Sequence, residues 1–436
     1  MMSLTNLPFE LVHSSRAFDS LPETVAAHGK PGPVVVLTDA TPKFLASDDL
    51  LDLVLALLPA ASVTVLGGGG ERAPVVVDEA AVTTAVAATV GKGCLVTLGS
   101  GTITDLGKLA SLETGVPMVA VQTAASVNGF SDDLSVVLRA GAKRTVQSTY
   151  PAALLIDHRL VAGAPVELNR AGLGECVGAL VAPADWLLAA TVGADSSYDP
   201  ELVSTYHRPA SQLMDIAGGI CRGHPESVAS LARLLTLAGL AMGKAGRTAP
   251  LSGTEHAISH LLDMVAAGDH GLHGAQVGVA AVVAACLWEV ALASLDLERT
   301  VAVPDDADMA RSLAHALIRL DHATIDECWS EYRVKPELWR GAPPGPGALA
   351  SLAERAAVWL GTPADIAGVL AAAGAPTRFS ELDPAIDRDT ARWAVANAHL
   401  LRSRFTILDL VVFTGGQLDR VVDDALDLAA EAGGGL

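Results

Sequence analysis

From residue 33 to about 160 the chain alternates short β-branched runs with Ala- and Leu-rich stretches of helical length. PVVVLTD is followed by FLASDDLLDLVLALLP, SVTVLGGGG by EAAVTTAVAATV, and CLVTLGSG by a further helical run; PMVAVQTAAS and ALLIDHRLV continue the pattern. Strands separated by helical segments form βαβ units, and the continuous apolar character of these strands requires cover on both faces of a parallel sheet. Beyond about residue 160 the β-rich runs stop and the periodicity becomes helical. The expected fold is therefore an N-terminal α/β domain, residues 1–160, and an all-α C-terminal domain, residues 161–436, with the boundary in the turn-rich VAGAPVELNRAG.

The chain has 436 residues, half of them hydrophobic and only 18% charged, enough for two domains with substantial cores. A formal charge of -20 and the lack of Lys/Arg clusters argue against nucleic-acid binding. Cys94, Cys176, Cys221, Cys286 and Cys328 are odd in number and lack CxxC spacing, which fits reduced thiols in a cytoplasmic protein. The start, MMSLTNLPFELVHSS, has no basic segment followed by an apolar one, so no secretory leader is expected. The run VGVAAVVAACLWEVALASL is interrupted by Glu289 and reads as a buried helix rather than a membrane span.

LGSGTITDLGKLAS places Gly99 and Gly101 between a strand and a helix, where the backbone can approach a phosphate and helix N–H groups can meet it. The natural guest is a pyrophosphate, although a glycine turn at such a junction also serves structure alone. Asp39 closes PVVVLTD, a position from which a carboxylate accepts hydrogen bonds from ribose hydroxyls; the alternative is a cap for the next helix. Asp105 and Lys108 also read as ordinary first-turn residues. VQTAASVNGFSDD should form a loop at the carboxyl end of the sheet, with Thr123, Ser126 and Asn128 able to bond a ligand, or else a plain Asn-Gly turn.

Histidines concentrate in SGTEHAISHLLDMVAAGDHGLHGAQVGV, which holds His256, His260, His270 and His273 of the chain's 12. His256 and His260 share one helix face by their spacing, and His273 can return towards them after a loop. Two imidazoles and a carboxylate make a divalent-metal site with open positions. Glu175 can supply the carboxylate, with Asp263 the competitor and Glu255 expected to point elsewhere on the helix. Spacing alone does not choose between His256 and His260.

With these blocks in order (GSGTITDLGK, QTAASVNGF, GAKRTVQSTYPAALLID, AGLGECVGALVAPADW, SGTEHAISH, LHGAQVGV and HLLRSRFTILDL), the sequence resembles the sn-glycerol-1-phosphate dehydrogenase family. That family lies within the dehydroquinate synthase-like and iron-containing alcohol dehydrogenase-like group. The resemblance implies an N-terminal domain for NAD(H) or NADP(H), a helical C-terminal domain, and a metal-bearing cleft between them. It carries the ligand set to Glu175, His256 and His273, for one divalent ion: zinc, with nickel or iron as alternatives. It carries nucleotide contacts to Gly99, Ser100, Gly101, Thr102, Asp105, Thr123 and Ser126, and leaves His270 in a loop without a role.

Departures from the family pattern fall on the substrate side. Glu175 replaces the usual Asp, Ala179 (or Gly178 in the synthase register) replaces a Lys, Asn128 replaces an Asp, and Ala275 replaces a Glu. Asn128, Lys143 and Arg144 are the remaining substrate-side candidates, and His260 the candidate for moving a proton. The leading expectation is a metal-dependent NAD(P)-linked dehydrogenase of a small polyol, hydroxyketone or aldehyde, phosphorylated or not. It would work as a homo-oligomer, a dimer or larger, in the cytoplasm with neither nucleic acid nor membrane as partner. The alternatives are a dehydroquinate synthase-like cyclase using NAD transiently and a noncatalytic relative.

Overall fold

The structure is a computed structural model describing residues 7–67, 75–139, 142–266, 271–297, 301–345 and 347–436. By internal contacts the chain divides into two compact units. The first comprises Met1–Arg139, Lys143–Gly172 and Ile216–Arg247; the second comprises Ala140–Ala142, Leu173–Asp215 and Thr248–Leu436.

The first unit is built on β1 (Glu10–Ser14), β2 (Val34–Asp39), β3 (Phe44–Leu45), β4 (Asp48–Asp49), β5 (Ser62–Leu66), β6 (Cys94–Gly99), β7 (Met118–Gln122), β8 (Leu134–Arg139), β9 (Ala142–Gln147) and β10 (Ala153–Asp157). Six of these form one sheet in the order β1-β10-β7-β6-β2-β5, while β3 pairs with β4 and β8 with β9. Every pairing in the six-stranded sheet is parallel. The connecting helices are α1 (Leu21–His28), α2 (Leu50–Leu57), α3 (Glu79–Thr89) and α4 (Gly101–Thr114). Val36, Val96, Leu98, Val119, Val121 and Leu155 lie in one buried cluster with Leu21, Leu50 and Val54. Strands β6, β7 and β10 are buried at every position, which is why their sequences read as unbroken apolar runs.

The path through the sheet creates a switch point. From β2 the chain goes to β5 on one side, then returns to place β6 on the other side of β2. The crossovers diverge there, and ligands of open α/β sheets bind outside the carboxyl ends of the two strands concerned. In this chain those ends are Asp39 and Gly99.

After β10 the remaining elements among the described residues are helical: α5 (His158–Gly163), α6 (Val166–Val177), α7 (Ala182–Thr191), α8 (Pro200–Ala210), α9 (Leu213–Cys221), α10 (Pro225–Ala245), α11 (Thr254–Val265), α12 (His273–Ser294) and further helices towards the C-terminus. Helix α10 returns to the first unit: Ser131 Oγ donates to Thr236 O at 3.0 Å, and the His13 ring Nε2 lies 3.2 Å from Ala229 O. In the second unit α12 is the central rod. Its residues Val277 to Trp288 are all buried, and α11 and Leu418–Glu431 pack against it. Glu289, which interrupts the apolar run, is exposed. Three stretches, Val166–Thr191, Pro225–Ala245 and His273–Ser294, are long and apolar enough to cross a membrane, but their apolar windows are 94%, 67% and 72% buried inside the fold. Core packing accounts for their composition.

Candidate metal centre

Helices α6, α11 and α12 each contribute one side chain to a tight group in the second unit. Glycines permit the approach that brings two of them together. A Cβ at Gly174 would strike the carbonyl of Gly274, and one at Gly278 would lie 3.0 Å from Gly174 Cα. Backbone thus packs on backbone at this crossing. Glu175 follows Gly174 and His273 precedes Gly274 in the chain.

The ligand atoms of Glu175, His256 and His273 all lie within 4.8 Å of one another. Glu175 Oε1 is 3.2 Å from His256 Nε2, and Glu175 Oε2 is 3.9 Å from His273 Nε2. Glu175 and His256 are buried and His273 is half-buried. Each imidazole turns its other nitrogen to a partner. His256 Nδ1 lies 2.8 Å from Glu255 Oε1, and His273 Nδ1 lies 3.0 Å from Ser259 Oγ. Ser259 gives its own proton to Gln276 Oε1 at 2.8 Å, so towards His273 it accepts. Both rings therefore carry hydrogen on Nδ1 and direct Nε2 towards Glu175.

His260, one turn after His256, is not in this group. Its ring centroid is 5.3 Å from that of His273, and its Nδ1 is 2.9 Å from Arg402 Nη2. A guanidinium only donates, so His260 Nδ1 accepts and the neutral ring holds its proton on Nε2. Arg402 and Arg404 line a small cavity with Gly253, Ala257, His399 and Thr406. Arg404 donates to Ser252 Oγ and to Thr248 Oγ1, each at 2.6 Å.

The residues around the group answer a charge demand. Burial alone would lower the His256 pKa, but Glu175 and Glu255 more than reverse this and raise it to about 9, so the spot favours positive charge. Two imidazoles and a carboxylate, backed by a second carboxylate, suit a divalent cation in place of that proton. Asp185 completes the acidic surroundings. It accepts from Thr254 N and Thr254 Oγ1, both at 2.7 Å, and from Ile407 N at 3.0 Å; burial and Glu255 raise its pKa to about 7.

Glu255 requires a correction, since it does not point away from the group but contacts His256 directly. At the second residue of α11 its side chain turns back to the helix start and also accepts from Gly253 N at 2.8 Å. The Glu-His pair in the first helical turn was the available signal. Asp263 reaches His273 Nδ1 only at 4.0 Å. Sequence reading also passed over Ser259, Gln276 and Arg402, which lack any motif of their own. Ala179 and Gly178 lie in a buried 3-10 turn, with a Cβ at Gly178 in ordinary contact with Glu255 and His256. Ala275 is half-buried in the first turn of α12, and His270 lies outside the described residues.

In the first unit, Gly99, Ser100, Gly101 and Thr102 form the junction of β6 and α4, with Ser100 as N-cap making no side-chain cap bond. A Cβ at Gly101 would lie 2.6 Å from Val127 Cγ2, so this glycine also serves packing. Thr123 and Ser126 are buried in the loop after β7. Asn128 is buried there too, and its carbonyl accepts from Ser131 Oγ at 3.3 Å. Asp39 accepts from Thr41 N at 2.7 Å and from Lys43 Nζ at 2.8 Å. Asp105 gives one oxygen to Lys108 Nζ at 3.1 Å and the other to Val136 N at 3.0 Å, tying α4 to β8. Lys108 is fully buried and bonds Asp132 Oδ1 at 2.7 Å and Gly129 O at 2.8 Å. Lys143 and Arg144 are half-buried on β9.

Residues 15–165 match the family model described as iron-containing alcohol dehydrogenase. The glycerol-1-phosphate dehydrogenase [NAD(P)+] of Halobacterium salinarum is 33% identical over 337 residues, 73% of this chain and 92% of the relative. That of Halorubrum lacusprofundi is 31% identical over 336 residues, 73% and 91%. The chain belongs to the glycerol-1-phosphate dehydrogenase family. Its fold is that of the iron-containing alcohol dehydrogenases: a probable glycerol dehydrogenase from Sinorhizobium meliloti 1021 superimposes with a TM-score of 0.60 at 17% identity, covering 98% of this chain and 97% of that one. Maleylacetate reductase from Agrobacterium tumefaciens gives the same score and coverage at 16% identity.

Proposed function

We propose that this family member is a metal-dependent NAD(P)-linked oxidoreductase that interconverts a small polyol, free or phosphorylated, and its ketone or aldehyde. The observation that carries this reading is the convergence of Glu175, His256 and His273 with both Nε2 atoms turned to the carboxylate. Glu175, His256 and His273 would hold a divalent ion, which when bound would supply Lewis acidity to the oxygen of the reacting carbon. Zinc fits the set, being content with three protein ligands of this kind and an open position.

The chain's own residues perform the rest. The uncapped start of α4 at Ser100 to Thr102 offers N–H groups to a pyrophosphate, and Thr123 and Ser126 offer hydroxyls from the next loop. Asp39 accepts from a ribose at the switch point, which favours NAD(H) over NADP(H). His260 holds the proton that the reaction moves, on the nitrogen that Arg402 leaves to it. Asn128 and Lys143 contact the substrate.

The test is turnover by the purified protein. NADH and NADPH are offered with dihydroxyacetone phosphate, dihydroxyacetone and small aldehydes, in the presence of zinc, nickel or iron(II). Metal-dependent consumption of NADH, abolished by a chelator and restored by the ion, is expected; inertness across the panel in protein carrying both metal and nucleotide would overturn the reading. Glu175 in place of Asp, together with the cations Arg402 and Arg404, favours one second reading, a cyclase that oxidises and re-reduces its substrate on one bound NAD. Turnover without net change in NADH identifies it.

A further inference from the structure

The proposed centre uses Glu175, His256 and His273 but leaves a second buried carboxylate in contact with it. Glu255 has 0% exposure, and its Oε1 receives His256 Nδ1 and Gly253 N, each at 2.8 Å. Helix starts are ordinarily capped by a short polar side chain at the N-cap residue. Here the N-cap is Gly253, which has none, and it has no room for one: a Cβ would lie 2.6 Å from Asp185 Oδ2 and 3.0 Å from Glu255 Oε2. Capping accounts for only one bond of Glu255, and its Oε2 accepts no hydrogen bond among the described residues. A buried carboxylate left in that state is costly unless a cation compensates it.

We propose that Glu255 is a positioning residue for the metal centre. It accepts the Nδ1 hydrogen of His256, which fixes the ring as the tautomer whose Nε2 lone pair faces Glu175, and it adds a second negative charge beside the ion. The two imidazoles then differ in strength. His256 leans on a carboxylate, which polarises the ring and makes Nε2 a strong donor, whereas His273 leans on the neutral hydroxyl of Ser259. Glu175 and Glu255 together match the charge of a divalent cation. The substrate oxygen would then meet a centre of low net charge, with His256 as the ligand that holds the ion most firmly. This inference rests on the metal reading above.

The experiment measures zinc affinity of the full chain by competition with a chelator, for wild type, Glu255→Gln, Glu255→Leu and His256→Ala, with circular dichroism confirming each fold. The amide of Glu255→Gln still accepts from Nδ1 but carries no charge, and about a 10-fold weaker affinity is expected. Glu255→Leu loses acceptor and charge, and about a 100-fold loss is expected. Affinities of both Glu255 variants within twofold of wild type, with His256→Ala impaired, overturn the positioning role alone. A wild-type chain that takes up no metal, or a His256→Ala chain that binds like wild type, overturns the metal reading itself. If the Glu255 variants do not fold, long-range proton–nitrogen NMR spectra of the zinc-loaded wild type decide the matter. A proton on Nδ1 of His256 and metal on Nε2 supports the role, and the reverse arrangement overturns it.

Discussion

Histidines one turn apart on a helix are interchangeable by spacing, and their hydrogen-bond partners separate them. His256 receives a carboxylate at Nδ1 and His260 a guanidinium, so in the proposed reading the first ring is set to bind metal through Nε2 and the second carries its proton there. Their variants should therefore fail differently. His260→Ala is expected to lower kcat by about 100- to 10,000-fold, the usual contribution of a proton-transfer group, while metal stoichiometry stays at wild-type level. A parallel loss of bound zinc would place His260 among the ligands instead. Ser259 has the lesser task of orienting His273 through a neutral hydroxyl fixed by Gln276. Ser259→Ala should weaken zinc binding by about 10-fold, read by the same chelator competition; affinity equal to wild type would show that ring to be held by its helix alone.

Between elements, the decisive contact is the crossing of α6 and α12, where Gly174 meets the backbone of Gly274 and Gly278. A methyl group at Gly174 has no space, so the helices must separate, and Glu175 and His273 move apart with them. Gly174→Ala should cost about 1–3 kcal/mol of stability and also reduce bound metal, measured as a fall in Tm and in zinc per chain. A variant that melts lower yet keeps full zinc would confine the glycine to packing. At this scale the sequence was legible where one rule governs a whole run. Alternating β-branched and helical stretches announced a parallel sheet because strands buried on both faces leave no polar positions. The three residues picked out by the ordered motif blocks, Glu175, His256 and His273, do lie together in the fold, although 81 residues separate the first two. The order β1-β10-β7-β6-β2-β5 and the return of α10 to the first unit were not legible, since they depend on contacts between distant segments. Glu255 was misplaced for a related reason: helical spacing gives the direction in which a side chain leaves the axis, but a first-turn glutamate can fold back along it.

For the molecule as a whole, pH is the variable that couples a buried site to global stability. The chain carries a formal charge of -20, so acidification removes charge from every surface carboxylate at once and hides the contribution of any single group. Comparison of two chains that differ at one buried position cancels that background. His399 is suited to the comparison: it is buried in the second unit beside the Lys335–Asp409 ion pair, and Lys335 Nζ bonds its carbonyl at 2.7 Å. Burial, and then the charge of Lys335, lower its pKa to about 3. In the unfolded chain an ordinary imidazole takes up its proton near pH 6.5. Between these values the unfolded state binds a proton that the folded state refuses. Stability from this residue is thus complete above about pH 6.5 and is lost as pH falls towards 3, with a slope of up to about 1.4 kcal/mol per pH unit. His399→Phe keeps a ring in the site and removes the titration. Urea unfolding of both chains at pH 7, 6, 5 and 4 should show wild type losing stability faster than the variant in each step below 6.5; parallel losses would mean that His399 takes up its proton inside the fold.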